Sequence, residues 1–181
     1  MLLVLAAGHA HAARLHVVVE REGRDVTIAA DTWIGADAPT AWRVLTDYER
    51  YVDFVPGLRE SRVLHRHDGH VTVMQSGDVS WLLLHWPLDA VYEIDESPVS
   101  GLRSRGTAAR AVLDSVYALI PEAGGVHLRY RGTLRARDEF LGAFERMAGT
   151  HAVARELSAL VDEIERQDGR SRERPGPAPA P

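Results

Sequence analysis

The side chains able to do chemistry in this chain are histidines, tyrosines and carboxylates, because it holds no cysteine and its 21 Lys+Arg positions are all arginine. Thiol nucleophiles, thiolate metal ligands, disulfides, Schiff-base lysines and a phosphate-loop lysine are thereby excluded. His65, His67 and His70, in the run HRHDGH, supply enough imidazoles for a metal site. They surround Asp68–Gly69, however, a dipeptide suited to a tight hairpin turn. We read the run as a solvated turn and assign no metal. His9, His11 and His16 would matter to copper only if processing exposed a terminal histidine. The acidic group Asp89, Glu93, Asp95 and Glu96 reads as the solvated side of one strand. No GxSxG elbow, HExxH helix, GxxxxGK loop or acidic calcium loop occurs, and no cofactor is expected. For proton chemistry there remain His85 and the hydroxyls of Tyr92, Ser115, Tyr117 and Tyr130. A neutral tyrosine is a better donor than base, so His85 is the natural base if it points inward.

The elements that must position these groups begin after an unusual N-terminus. MLLVLAAGHAHAARLHV is a short apolar run followed by small residues, and residues 1–12 read as a signal peptide cleaved after Ala12. Export to the periplasm or beyond is the expectation. The alternative is a buried first strand in a cytoplasmic protein. The run is too short to span a membrane, which takes about 20 apolar residues. Residues 13–167 read as one domain, since 181 residues at 45% hydrophobic content can bury a real core. Residues 168–181 form a charged, then proline-rich tail expected to be disordered. A net charge of −5 argues against a nucleic-acid surface.

Between these ends the chain reads as strands followed by a helix. Leu15 to Glu22 and Asp25 to Ile34 form one hairpin, and Arg59 to His67 and His70 to Val79 another. Trp81 to Trp86 and Leu88 to Glu96 are two strands, or one bent at Pro87, where proline implies an edge or a bulge. Leu102 to Thr107, Ala111 to Ile120 and Val126 to Arg135 follow. In the last, Val126, Leu128, Tyr130, Gly132 and Leu134 share a face, opposite His127, Arg129, Arg131, Thr133 and Arg135. The strand 111–120 is apolar on both faces, so its second face is expected to be covered by the N-terminal hairpin or another subunit. A final helix from near Leu141 to about Arg166 presents Phe144, Met147, Val153, Leu157, Leu160, Val161 and Ile164 on one side. Arg155, Glu156, Ser158, Asp162, Glu163 and Glu165 are expected on its wet side.

The densest local signal lies from Asp37 to Val63. Asp37 can cap a helix with Pro39 in its first turn, and Ala38, Ala41, Trp42 and Leu45 give it one apolar face. Asp47 can cap a second short helix bearing Tyr51, Phe54 and Val55, which Pro56 and Gly57 stop. This block, with its core WRVLTDYERYVDFVPG, resembles the opening of the SRPBCC or START-like superfamily, in its polyketide cyclase/dehydrase and coenzyme Q-binding-like branch. The resemblance extends over roughly Val26 to Arg166 and implies an α+β helix-grip fold, a curved antiparallel sheet wrapped around a long C-terminal helix.

In that superfamily the space between sheet and helix is an apolar cavity. Candidates to line it here are Trp81, Leu83, Tyr92, Tyr117, Tyr130, Phe144, Met147 and Leu157, each of which could equally be plain core. The function expected is binding or carriage of a hydrophobic small molecule such as a lipid, isoprenoid quinone or polyketide-like compound. Two alternatives stay open: a cyclase or dehydratase using the same cavity, and an interaction module with a filled interior. The partners expected are a hydrophobic ligand, no nucleic acid, and a protein partner or second copy docked on strand 111–120.

Overall fold

The computed structural model describes residues 15–23, 25–81, 84–136 and 149–173. The strand-forming runs pair into one antiparallel sheet: β1 (His16–Glu22), β2 (Asp25–Ile34), β3 (Leu58–His67), β4 (His70–Trp81), β5 (Leu84–Ser97), β6 (Gly101–Ala108), β7 (Ala111–Glu122) and β8 (Gly125–Ala136). The strand order is β1-β2-β8-β7-β6-β5-β4-β3. The chain therefore crosses from β2 to the far edge and meanders back until β8 lies beside β2. Asp68 and Gly69 both take positive φ, 48° and 80°, as the tight turn between β3 and β4 requires.

The crossing is made by α1 (Ala38–Thr46) and a 3-10 helix (Tyr48–Asp53). Asp37 Oδ1 accepts from the Thr40 amide at 2.6 Å, satisfying one of the free donors of the first turn. Asp47 does not cap the 3-10 helix through its side chain. Its backbone carbonyl takes that part instead, accepting from Arg50 N–H at 3.0 Å. Ala38, Ala41, Val44 and Leu45 of α1 are buried in the main core with Ile34, Val71, Val73, Leu119, Val126 and Leu128.

The chain around Pro87 resolves into one strand that is locally an edge. Trp81 ends β4, and Pro87 pairs with Asp78 on that side. The other neighbour, β6, begins pairing with β5 only at Ala90, so the missing amide hydrogen of Pro87 breaks no ladder bond there. Along β8 the burial alternates as its sequence does, with Val126, Leu128, Tyr130 and Leu134 buried. The second face of β7 is not covered by the N-terminal hairpin. β1 extends the sheet beyond β2, and Val116 and Ile120 remain 40% and 36% exposed.

The long helix α2 (Gly149–Glu173) lies against the sheet and α1, and runs past Arg166 into the segment expected as tail. Leu157, Leu160, Val161 and Ile164 are its buried positions. Its polar residues are not all on the wet side. Glu163 is only 6% exposed and accepts from Arg166 Nε at 2.6 Å and Gln167 Nε2 at 2.9 Å. Among the described residues no helix is long and apolar enough to cross a membrane.

Candidate functional site

The inner wall of the sheet carries a patch of tyrosines because successive inward positions on neighbouring strands come into register. Tyr117 on β7 stands opposite Tyr130 on β8, ring centroids 4.7 Å apart with the planes 56° apart. Tyr92 on β5 faces Gly106 on β6. A Cβ on Gly106 would overlap the Tyr92 ring, and one on Gly132 would overlap the Tyr130 hydroxyl, so each ring lies down along the sheet over a glycine. Tyr51 approaches from the 3-10 helix, packs 5.3 Å from the Phe54 ring and donates its hydroxyl to the Leu45 carbonyl at 2.7 Å.

Glu156, on α2, acts electrostatically on the tyrosines of this patch. It precedes buried Leu157 by one position and buried Leu160 by four, at the margin of the buried helix face. The residue is exposed overall, while protein crowds its carboxyl closely enough to desolvate it. Burial pushes its carboxyl above the usual carboxylate range, and the neighbouring Arg155 offsets this only in part. Burial likewise pushes the hydroxyls of Tyr51, Tyr92, Tyr117 and Tyr130 well above the phenol range, with the Glu156 charge adding to the shift at all four. All four are neutral donors or acceptors at physiological pH, and none can serve as a base.

The hydroxyls differ in what they have left to offer. Tyr51 is spent on Leu45, and Tyr130 interacts with Ser115, which in turn shares a hydrogen bond with Ser104 at 2.8 Å. Tyr92 and Tyr117 make no side-chain hydrogen bond among the described residues, and neither does Glu156. Among those residues no fully buried side-chain nitrogen or oxygen lacks a partner. The hydroxyls of Tyr92 and Tyr117, both half-buried, therefore keep accessible surface on the side of the sheet that packs against α2. What this arrangement can do is surround an apolar molecule and meet one polar group on it.

Of the residues singled out from sequence, Tyr92, Tyr117, Tyr130 and Leu157 come together where the sheet packs against α2. Tyr92 and Tyr117 are half-buried, whereas Tyr130 and Leu157 are 6% and 3% exposed and belong to the packed core. Trp81, Leu83, Phe144 and Met147 lie outside the residues whose side chains are described, as does His85. Glu156, expected on the wet side of its helix, is exposed, and its charge nonetheless acts on Tyr51, Tyr92, Tyr117 and Tyr130.

The remaining titratable clusters lie away from this wall. His65, His67 and His70 are exposed at the β3–β4 tip, where His67 pairs with Asp68 at 2.9 Å and His70 with Asp95. No group of three His, Asp or Glu that could hold a metal occurs among the described residues. On the outer face, His127 Nε2 meets Asp31 Oδ1 at 2.5 Å while its Nδ1 meets Glu122 Oε1 at 3.3 Å. Tyr48 donates to Glu96 Oε1 at 2.9 Å, and Arg66 holds both oxygens of that carboxylate at 3.1 Å, which ties the 3-10 helix to β3 and β5.

Comparison with known proteins places this architecture. Residues 34–105, from the end of β2 into β6, match the family described as polyketide cyclase / dehydrase and lipid transport. No curated protein matches at the sequence level. Among solved structures, the fold is similar to that of a STAR-related lipid transfer protein fragment from Xanthomonas axonopodis, at 17% identity and a TM-score of 0.66, covering 87% of this chain and 96% of that one. It is also similar to the Zhui aromatase/cyclase from Streptomyces sp. R1128, at 19% identity and a TM-score of 0.65, covering 79% and 95%. A protein from Thermus thermophilus aligns at 12% identity and a TM-score of 0.65, covering 80% and 98%. The chain thus has the helix-grip α+β fold of the START-like, or SRPBCC, superfamily, with its residues 34–105 matching the polyketide cyclase/dehydrase and lipid transport family.

Proposed function

We propose that this protein binds and carries a hydrophobic small molecule in the hollow between the sheet and α2. The observation that carries the reading is the pair Tyr92 and Tyr117, half-buried on the inner wall with hydroxyls that keep accessible surface and find no hydrogen-bond partner among the described residues. A packed core leaves no such space, since interiors fill to crystal-like density and buried polar groups find partners. The rest of the described inner wall is largely apolar or aromatic, as a site for a lipid, quinone or polyketide-like molecule requires. The lipid-transfer and aromatase/cyclase neighbours use the same scaffold, which supports a cavity and leaves its occupant open. Export, expected from the N-terminal run, belongs to this proposal and is tested by cell fractionation.

The experiment is native mass spectrometry of the protein purified from its own host, followed by solvent extraction and identification of what is released. The expected result is an apolar molecule recovered near one per chain. Protein that is repeatedly empty, stable and unable to bind a naphthylamine fluorophore would overturn the reading.

A second reading, an enzyme of the cyclase or dehydratase type, has one observation in its favour. Glu156, whose desolvated carboxyl is pushed above the usual carboxylate range and whose charge acts on Tyr92, Tyr117 and Tyr130, is a group suited to give a proton to a bound carbonyl. Turnover of a poly-ketone substrate that disappears in Glu156→Gln would establish it over carriage.

A further inference from the structure

On the face of the sheet turned away from α2, the neighbouring strands β8, β7 and β6 line up as an apolar ridge edged with arginine. Val116 on β7 lies between Arg103 of β6 and Arg131 of β8, each its direct cross-strand partner. Val116 and Ile120 are 40% and 36% exposed, and Ala118 falls between them on the same face. Over residues 101–107, 112–120 and 127–135 the outward positions hold five arginines against one aspartate, in a chain whose net charge is −5. That aspartate, Asp114, meets Arg135 at 2.6 Å and Arg105 at 3.5 Å, and Asp31 meets Arg129 at 3.2 Å. Arg103 and Arg131, the two beside Val116, are exposed and make no ion pair or side-chain hydrogen bond among the described residues. Their charge is open to a group from outside the chain.

Acidic residues mark the width of this strip. β5 sets Asp95 and Glu93 beside Arg103 and Arg105, and β2 sets Asp31 and Asp25 beside Arg129 and Arg135. From β6 to β8 is two strand spacings, about 10 Å, and Val112 to Ile120 at about 3.4 Å per residue is about 27 Å. An α-helix is about 10–12 Å across, and about 18 residues of it span the same length. A broad anionic surface such as a membrane would press on the bordering carboxylates too, whereas one helix fits between them. We propose that the outer face of β7 docks an acidic amphipathic helix of a partner protein, its apolar side chains on Val116 and Ile120 and carboxylates from its two flanks held by Arg103 and Arg131. Guanidinium groups suit that task, since each can hold a carboxylate through two parallel N–H donors. This face is remote from the ligand site proposed above, so the docking stands or falls independently of carriage.

The test is fluorescence anisotropy of the full chain with a labelled helical peptide of about 18 residues, leucine along one face and glutamate along both flanks. The control is the same peptide with lysine in place of glutamate. The glutamate peptide is expected to bind at least about tenfold more tightly, and the double variant Arg103→Gln, Arg131→Gln to lose at least about tenfold of that affinity. Arg62→Gln, at an exposed arginine on β3, is expected to change it by less than about twofold. The peptide comparison uses the unaltered chain, so it stands even if a variant fails to fold. Equal binding of the two peptides, no binding of either, or full affinity in the folded double variant overturns the proposal. A dimer of the chain in sedimentation that Val116→Asp dissolves overturns it by giving the face to a second copy. Binding through the same two arginines to phosphatidylcholine vesicles with about 30% phosphatidylserine overturns it in favour of a lipid surface.

Discussion

Tyr117 and Tyr130 stand opposite each other on β7 and β8 with ring centroids 4.7 Å apart, and the two hydroxyls end in different surroundings. Tyr130 reaches Ser115, whereas Tyr117 has no side-chain hydrogen bond among the described residues. The ring of Tyr117 therefore supports the fold and its hydroxyl does not. Tyr117→Phe is expected to change stability by less than about 0.5 kcal/mol, while Tyr117→Ala is expected to cost about 3 kcal/mol, measured by urea unfolding. A cost above about 1 kcal/mol for the phenylalanine variant would show that the hydroxyl is engaged in the fold.

Gly106 sets how far the Tyr92 ring can recline. Adding a Cβ there would overlap Tyr92 Cε1 and Cδ1, so the ring must lift from the sheet into the hollow. Gly106→Ala is expected to cost about 1 kcal/mol in stability and to weaken binding of a naphthylamine fluorophore. Adding Tyr92→Ala to that variant removes the obstruction, so the double-mutant cycle in binding should be strongly non-additive. Additive effects would place the Tyr92 ring away from the ligand.

Asp37 joins the end of β2 to α1 and thereby aims the helix that closes one end of the sheet. Its carboxylate accepts from the Thr40 amide at 2.6 Å. Asp37→Ala is expected to lose about 1 kcal/mol, and Asp37→Asn, which keeps the acceptor, less than about 0.5 kcal/mol. Equal losses for the two variants in thermal unfolding would mean that charge, and not the cap bond, matters there.

His127 links stability to pH on the outer face. The hydrogen bond to Asp31 is the largest influence on it, partial burial opposes, and Glu122 adds to the rise above the ordinary histidine range. Asp31, despite burial pulling the other way, is held below its ordinary value by His127 and Arg129. The folded chain thus binds the His127 proton more tightly than the unfolded chain. That stabilisation is fully present below the unfolded histidine pKa and is lost as pH rises through the raised folded value. The Asp31 part is present above the unfolded carboxylate pKa and is lost as pH falls through the lowered folded value. The melting-temperature advantage of the natural protein over His127→Gln is expected to be largest near pH 6 and to shrink by about pH 9. An advantage that stays constant over that range would rule out a contribution from the imidazolium charge.

How much was legible beforehand can be followed residue by residue. The cap at Asp37, the turn at Asp68–Gly69 and the alternation from Val126 to Leu134 were all readable because each is a short-range rule of backbone geometry and side-chain period. The edge at Pro87 was readable for the same reason, as proline removes a donor wherever it sits. Asp47 was misjudged, since a side-chain cap and a backbone cap demand the same kind of sequence. For β7 only the covering by the N-terminal hairpin fails, because apolar alternation states that a face can be buried and not which element buries it.

The sequence by itself determined the elements, the open pairing edge at Pro87 and the resemblance of the block from Asp37 to Val63. Only the tertiary structure decided that Tyr92, Tyr117 and Tyr130, drawn from three strands, share a wall that packs against α2. Local rules operate over a few bonds. Whether side chains from separate strands meet depends on where a sheet eight strands wide brings its inner surface relative to one helix, and that is written in no single stretch of the chain.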